Sequence, residues 1–221
     1  MATETFICVA TVAVLLPVFL VLLRLIYVLP ALQRRSTGST KQLEGHVMIL
    51  LGSGGHTGEM IRLLSPVNLE KVKKTWIVSS GDTTSLEKAK RLEESINSVP
   101  HSSTYITLKR ARKVGQSLSS SVFTTLESIL ASFQSLLRQP SYPDVLLING
   151  PGTCVPIAYV LFVMKFFGLC RTRIIYVESL ARVSGLSLSG RLVLPVCDRF
   201  IVQWESLAAK YKRAEYHGIL V

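Results

Sequence analysis

Apolar and polar positions follow three different rhythms along this chain. Residues 6–28 are apolar apart from Thr11 and Arg24 and show no polar face. That run is long enough to cross a bilayer as a helix, with Pro17 a kink that membrane helices tolerate. From residue 46 onward the apolar runs become short. Those at 46–51, 75–79, 105–108, 144–149, 173–177 and 199–203 predict strands. Between them the spacing turns helical. Met60, Ile61, Leu63 and Leu64 begin a helix that Pro66 ends, and Thr83 or Thr84 can cap a helix over 86–96. Leu118, Val122, Phe123, Leu126, Ile129, Leu130, Phe133 and Leu137 fall three and four apart, a long amphipathic helix that Pro140 and Pro143 close. Residues 155–167 are apolar almost all round, which fits a core helix, or one with a face on a membrane surface. Short helices over 186–196, bent or ended at Pro195, and over 205–211 complete the pattern.

Strands alternating with helices predict an α/β body with a parallel sheet and helices on both faces. The chain divides into a tail (1–5), a transmembrane anchor (6–28), a polar tether (29–45) and one domain (46–221). A cleaved signal peptide would need a basic segment before the apolar run, where only Glu4 is charged. Arg24 and Tyr27 suit the interface, and Arg34, Arg35 and Lys41 follow the span, so the positive-inside rule leaves the body in the cytosol.

Charge narrows the partners. A formal net charge of +11 over 221 residues calls for something anionic. No basic stretch is interleaved with aromatics, so a membrane surface or a phosphorylated substrate fits better than nucleic acid. The densest cluster holds Arg110, Arg112 and Lys113, either a solvated loop or a membrane-facing patch. Cys8, Cys154, Cys170 and Cys197 are scattered, mostly within apolar runs, and suggest buried hydrophobes rather than a metal site or a disulfide framework. No Asn-x-Ser/Thr sequon marks the body as lumenal.

The first strand runs into Gly52-Ser53-Gly54-Gly55-His56-Thr57-Gly58-Glu59 and then into a helix. Such a turn aims free N–H groups and a helix dipole at one point, which suits a phosphate. A dinucleotide fingerprint would need glycine where Thr57 stands, and a P-loop would need a lysine, so neither motif is met. What remains is a histidine in a glycine loop, placed to exchange a proton beside a bound anion, or idle in a tight turn. Glu59, in the first helical turn, offsets part of the dipole. A second glycine turn, Asn149-Gly150-Pro151-Gly152-Thr153, follows the fourth strand, with Thr153 as helix cap, and Glu178-Ser179 follow the fifth. Ligands of open parallel sheets bind at the carboxyl edge, where these three features converge.

Residues 52–57, 149–156, 177–179 and 200–204, in that order after an anchor, resemble one family closely. It is the membrane-anchor subunit of the heterodimeric UDP-N-acetylglucosamine transferase of asparagine-linked glycosylation. The resemblance covers nearly the whole chain and implies a Rossmann-like half of a GT-B glycosyltransferase, related to the bacterial enzyme that adds GlcNAc to lipid-linked muramyl peptide. It implies transfer of GlcNAc from UDP-GlcNAc to dolichyl-diphosphate-GlcNAc at the cytosolic face of the endoplasmic reticulum, without metal or cofactor. A soluble catalytic subunit would bind UDP-GlcNAc, while this chain would anchor the pair and hold the lipid-linked acceptor.

On that resemblance His56 and Glu178 are the candidate acid–base groups, in either order of roles. Gly52, Ser53, Gly54, Gly55, Thr57, Asn149, Gly150, Gly152, Thr153 and Ser179 would hold the acceptor. The apolar run Ile219, Leu220 and Val221 would dock the partner, or pair as a last strand. Two other classes stay open: a stand-alone membrane-tethered nucleotide-binding enzyme, in which Asp82 reads a ribose, and a non-catalytic membrane scaffold for a soluble enzyme.

Overall fold

The computed structural model describes residues 2–33, 45–96, 103–108, 121–139 and 141–221. The basic cluster with Arg110, Arg112 and Lys113 and most of the tether lie outside the described residues. A long helix, α1 (Ala2–Val28), precedes the body. The body then runs β1 (His46–Leu51), α2 (Gly55–Leu64), β2 (Lys73–Ser79), α3 (Thr83–Ser95), β3 (Ser103–Leu108), α4 (Ser121–Leu137) and β4 (Val145–Asn149). It continues through α5 (Cys154–Phe166), β5 (Arg173–Val177), α6 (Leu188–Val193), β6 (Arg199–Val202), α7 (Glu205–Lys210) and β7 (Ala214–Tyr216).

The seven strands form one all-parallel sheet in the order β3-β2-β1-β4-β5-β6-β7. Strand order reverses between β1 and β4, and a crevice opens there at the carboxyl edge. Every residue of β1 is buried, as in a strand covered on both faces. Side chains alternate across it: Met48 and Leu50 join a core with α5 and α6, whereas Val47, Ile49 and Leu51 join a second core with α2 and α3.

Within helix α1, the 25 residues Glu4–Val28 are long and apolar enough to cross a membrane. The carboxyl end of α1 packs on the body. Val28 is buried in the α5-side core, Leu25 and Leu29 pack against it, and Pro30–Leu32 form a 3-10 turn. Arg24 Nε donates to the Phe166 carbonyl at 2.8 Å and Nη2 to that of Lys165 at 3.2 Å. These carbonyls end α5, where the Gly168 N–H also bonds that of Lys165, so the arginine adds to the closure of that terminus as well as marking the end of the span.

Several local expectations are corrected. Asp82, not Thr83 or Thr84, caps α3, accepting from Ser85 N at 3.1 Å and Ser85 Oγ at 2.7 Å. Helix α2 begins at Gly55 rather than Met60, so the histidine sits in its first turn. Helix α6 ends at Val193, ahead of Pro195. The last strand is β7, and residues 219–221 lie beyond it without pairing as a strand.

His46 opens β1, buried, with Nε2 2.8 Å from Thr75 Oγ1. Burial, and then the charge of Lys73, hold its pKa below the ordinary 6.5. The folded state therefore refuses a proton that the unfolded chain accepts. The stability this contributes is complete above 6.5 and is lost as pH falls from there toward the depressed folded value. Urea unfolding of the full chain in neutral detergent should show that acid-side loss, and His46→Gln should flatten it.

Candidate active site

The first glycine turn is short. Gly54 takes φ +66°, a left-handed conformation that favours glycine, and stands at the helix cap position with no side chain to bond the first N–H groups. Ser53, Gly54 and Gly55 are exposed at the crevice. Gly52 is buried for a different reason: a Cβ there would lie 2.7 Å from Pro151 Cγ and 2.8 Å from His56 Cβ. The two glycine turns thus touch one another.

His56 is seated by its neighbours. Its carbonyl accepts from Asn149 Nδ2 at 2.7 Å, which ties the turn after β1 to the end of β4. Its ring lies flat against Gly150, where a Cβ would meet ring Cε1 at 2.1 Å. Nδ1 is buried without a hydrogen bond and lies 3.5 Å from Glu59 Oε2, itself buried and otherwise unpaired. Glu59 Oε1 accepts from Ser179 Oγ at 2.8 Å and Leu180 N at 3.2 Å. Along the sequence Glu59 is only a charge that offsets the dipole; in the structure it links His56 to the loop after β5. With Nδ1 turned to Glu59, Nε2 is the nitrogen left facing the cleft.

Glu178 is buried behind that cleft. Oε1 accepts from Ser179 N at 3.1 Å and the Tyr176 hydroxyl at 3.4 Å; Oε2 accepts from Ser187 N at 3.0 Å and Ser187 Oγ at 3.1 Å. Burial, then the neighbouring Cys154 and Glu178, push the Tyr176 phenol far above its ordinary range, so it stays a donor. Gly190 leaves room for the carboxylate: a Cβ there would lie 2.4 Å from Oε2.

These elements enclose a cleft of about 370 Å³, lined by His56, Glu59, Gly150, Glu178 and Ser179, with Arg182 on its wall. Sequence reading missed Arg182; the only signal was its place in the carboxyl-edge loop after β5. It is exposed and brings a positive charge to the cleft lining.

Other expected site residues do different work. Thr57 is buried and bonded to Ser85 Oγ at 2.7 Å. Thr153 is buried, holds the cap position of α5 without capping it, and lies 3.5 Å from Ser79 Oγ. Both shape the crevice from beneath. Gly152 is exposed beside it. Asp82, engaged as a helix cap, is already committed to Ser85. Gln203 Nε2 donates to the Glu178 carbonyl at 3.4 Å, while its Oε1 accepts from Leu220 N at 2.9 Å. Trp204 Nε1 donates to the Leu180 carbonyl at 2.8 Å. Val221 lines a separate small hollow with Glu59, Met60, Leu63, Asn149 and Val177, and Ile219 is exposed.

Comparisons with known proteins agree on one family. The family model described as "Oligosaccharide biosynthesis protein Alg14 like" matches residues 47–220. A Debaryomyces hansenii protein called UDP-N-acetylglucosamine transferase subunit ALG14 is 52% identical over 99% of this chain and 99% of its own. Proteins of the same description are 51% identical in Candida albicans, over the full length of both, and 39% identical in Rattus norvegicus, over 79% of this chain and 82% of that one. Among solved structures, Arabidopsis thaliana UGT89C1 complexed with UDP has a TM-score of 0.52 at 14% identity, over 81% of this chain and 53% of that one. A UDP-N-acetylglucosamine 2-epimerase has a TM-score of 0.51 at 13% identity, over 76% and 44%. The chain therefore has the fold of one half of a GT-B glycosyltransferase and spans about half the length of these structures.

Proposed function

Since the chain belongs to the Alg14-like family of oligosaccharide biosynthesis proteins, we propose that it is the membrane-anchored, acceptor-binding half of a UDP-GlcNAc transferase. The acceptor is dolichyl-diphosphate-GlcNAc, and the other half is a soluble subunit that binds UDP-GlcNAc. Helix α1 holds the pair on the cytosolic face of the endoplasmic reticulum. The observation that carries this reading is the cleft at the β1/β4 switch point, where a seated histidine, Glu59 and Arg182 meet at the carboxyl edge of the sheet. A fold spanning about half the length of the structures it resembles leaves room across that edge for a partner.

In the reaction an acceptor hydroxyl attacks the anomeric carbon of UDP-GlcNAc. The new C–O bond forms as the bond to UDP breaks, and UDP leaves with the electron pair. His56 Nε2 takes the hydroxyl proton, and the Glu59 carboxylate, 3.5 Å from Nδ1, steadies the imidazolium that results. The exposed N–H groups of the first glycine turn and Arg182 hold the acceptor diphosphate. Glu178 acts from behind, fixing the loop that carries Ser179, Arg182 and Ser187. Ile219, Leu220 and Val221, whose last residue lies against Glu59 in the neighbouring hollow, form the docking edge for the soluble half.

Reconstitution tests this directly. Transfer to a dolichyl-diphosphate-GlcNAc analogue should require both chains, and activity of this chain alone would overturn the reading. Glu59→Gln, which keeps shape but not charge, should cost on the order of tenfold in kcat. An unchanged kcat would remove Glu59 from the proton path.

A further inference from the structure

The second cleft worth attention lies where α1 meets the body. It measures about 630 Å³ and is lined by Arg24, Tyr27, Gln33, Lys165 and Arg171, with Gly168 on its floor. Three cations line it and no carboxylate does. Lys165 is partly offset by Asp198 at 2.8 Å, just outside the lining, and Arg24 is held by the α5 carbonyls. Arg171 is exposed and lines the cleft.

Position gives the charge a meaning. The cleft sits at the end of the only helix among the described residues long and apolar enough to cross a membrane. Around it stand large exposed apolar side chains: Tyr27 (72%), Phe167 (70%) and Leu169 (52%). A cationic hollow rimmed by apolar groups, at headgroup depth, matches a molecule with a phosphate at one end and acyl chains at the other. It is also distinct from the candidate active site. Helix α5 begins beside Gly152 and ends beside Arg24, and its 13 residues place the two clefts about 20 Å apart.

We propose that this cleft binds the headgroup phosphate of an anionic phospholipid, with Arg171 as its main free cation and Arg24 and Lys165 completing the field. Acyl chains lie along α1, Phe167 and Leu169. Such a lipid would fix how the body sits on the bilayer. The proposal rests on reading α1 as a membrane anchor.

The test uses the full chain in neutral detergent, with dioctanoyl phosphatidic acid, dioctanoyl phosphatidylcholine and inorganic phosphate as separate probes. The phosphatidic acid should bind well above the other two. Arg171→Glu should weaken it on the order of tenfold, whereas Lys88→Glu, an equal charge change on exposed α3, should leave it unchanged. Equal losses in both variants, or no loss in Arg171→Glu, would overturn the site. Inorganic phosphate binding as tightly as the lipid would overturn the lipid assignment. Alkaline carbonate extraction of membranes tests the anchor separately: release of the chain counts against α1 as a span, while retention alongside an indifferent Arg171→Glu counts against the headgroup site alone.

Discussion

Gly150→Ala should abolish GlcNAc transfer about as completely as His56→Ala, without unfolding the protein. A methyl group at position 150 would lie 2.1 Å from His56 Cε1, 2.4 Å from Nδ1 and 2.7 Å from Nε2. No real Cβ tolerates such contacts. Gly150 also takes φ +28°, where a side chain adds strain. The neighbour that can yield is a side chain, so the imidazole swings away while the sheet stays. It then loses both its seat and its approach to Glu59. A positioned general base contributes roughly 10²–10⁴ in rate, and most of that should go. The double variant decides the mechanism. If Gly150 acts by seating His56, then His56→Ala with Gly150→Ala should be no slower than either alone. Multiplying losses, or near-normal kcat in Gly150→Ala with folding intact, would sink the assignment of His56 as base. Thermal melts of all three variants in the assembled complex separate loss of chemistry from loss of fold.

Why Gly150 matters could not be read along the chain, and this marks where sequence reasoning stopped. A glycine after a strand announces a turn, and the turn was expected. That a ring from a different strand–helix unit fills the place of its Cβ is a fact of packing. Glu59 shows the same limit. On a helical pattern it is a carboxylate in the first turn, but its partners Ser179 and Leu180 arrive from the far side of the switch point. By contrast, the six longer strands and their parallel arrangement followed from apolar runs and strand–helix alternation, most plainly in β1, which is buried on both faces. Strand β7 escaped notice because Ala214-Glu215-Tyr216 carries no apolar run. Its place at the sheet edge is set by pairing with β6 and by Arg199 bonding Glu215. The docking of α1 was hidden for a related reason: Arg24 reads as an interfacial cation, and only the exposed carbonyls of α5 make it a cap.

Glu178 was expected at the site and lies there, yet its surroundings give it different work from His56, and removing it should damage the protein in a different way. The carboxylate is buried and receives Ser179 N, Ser187 N and Ser187 Oγ, with the Tyr176 hydroxyl beside them. Glu178→Leu fits the space only roughly and leaves those donors without an acceptor. Each buried orphan costs about 1–3 kcal/mol, so a loss of about 3 kcal/mol is expected, or roughly 6–12 °C in Tm for a domain of this size. Ser187 then no longer anchors α6, whose cap depends on Ser187 Oγ accepting from Gly190 N at 2.9 Å. Glu178→Gln keeps one good acceptor and should melt within a few degrees of the parent. The kinetic contrast is the discriminating one. If Glu178 holds the loop, the glutamine variant should transfer GlcNAc within about tenfold of the parent, far above His56→Ala. If Glu178 is instead the base, Glu178→Gln should melt normally and be as inactive as His56→Ala, and the roles assigned to the two residues would have to be exchanged.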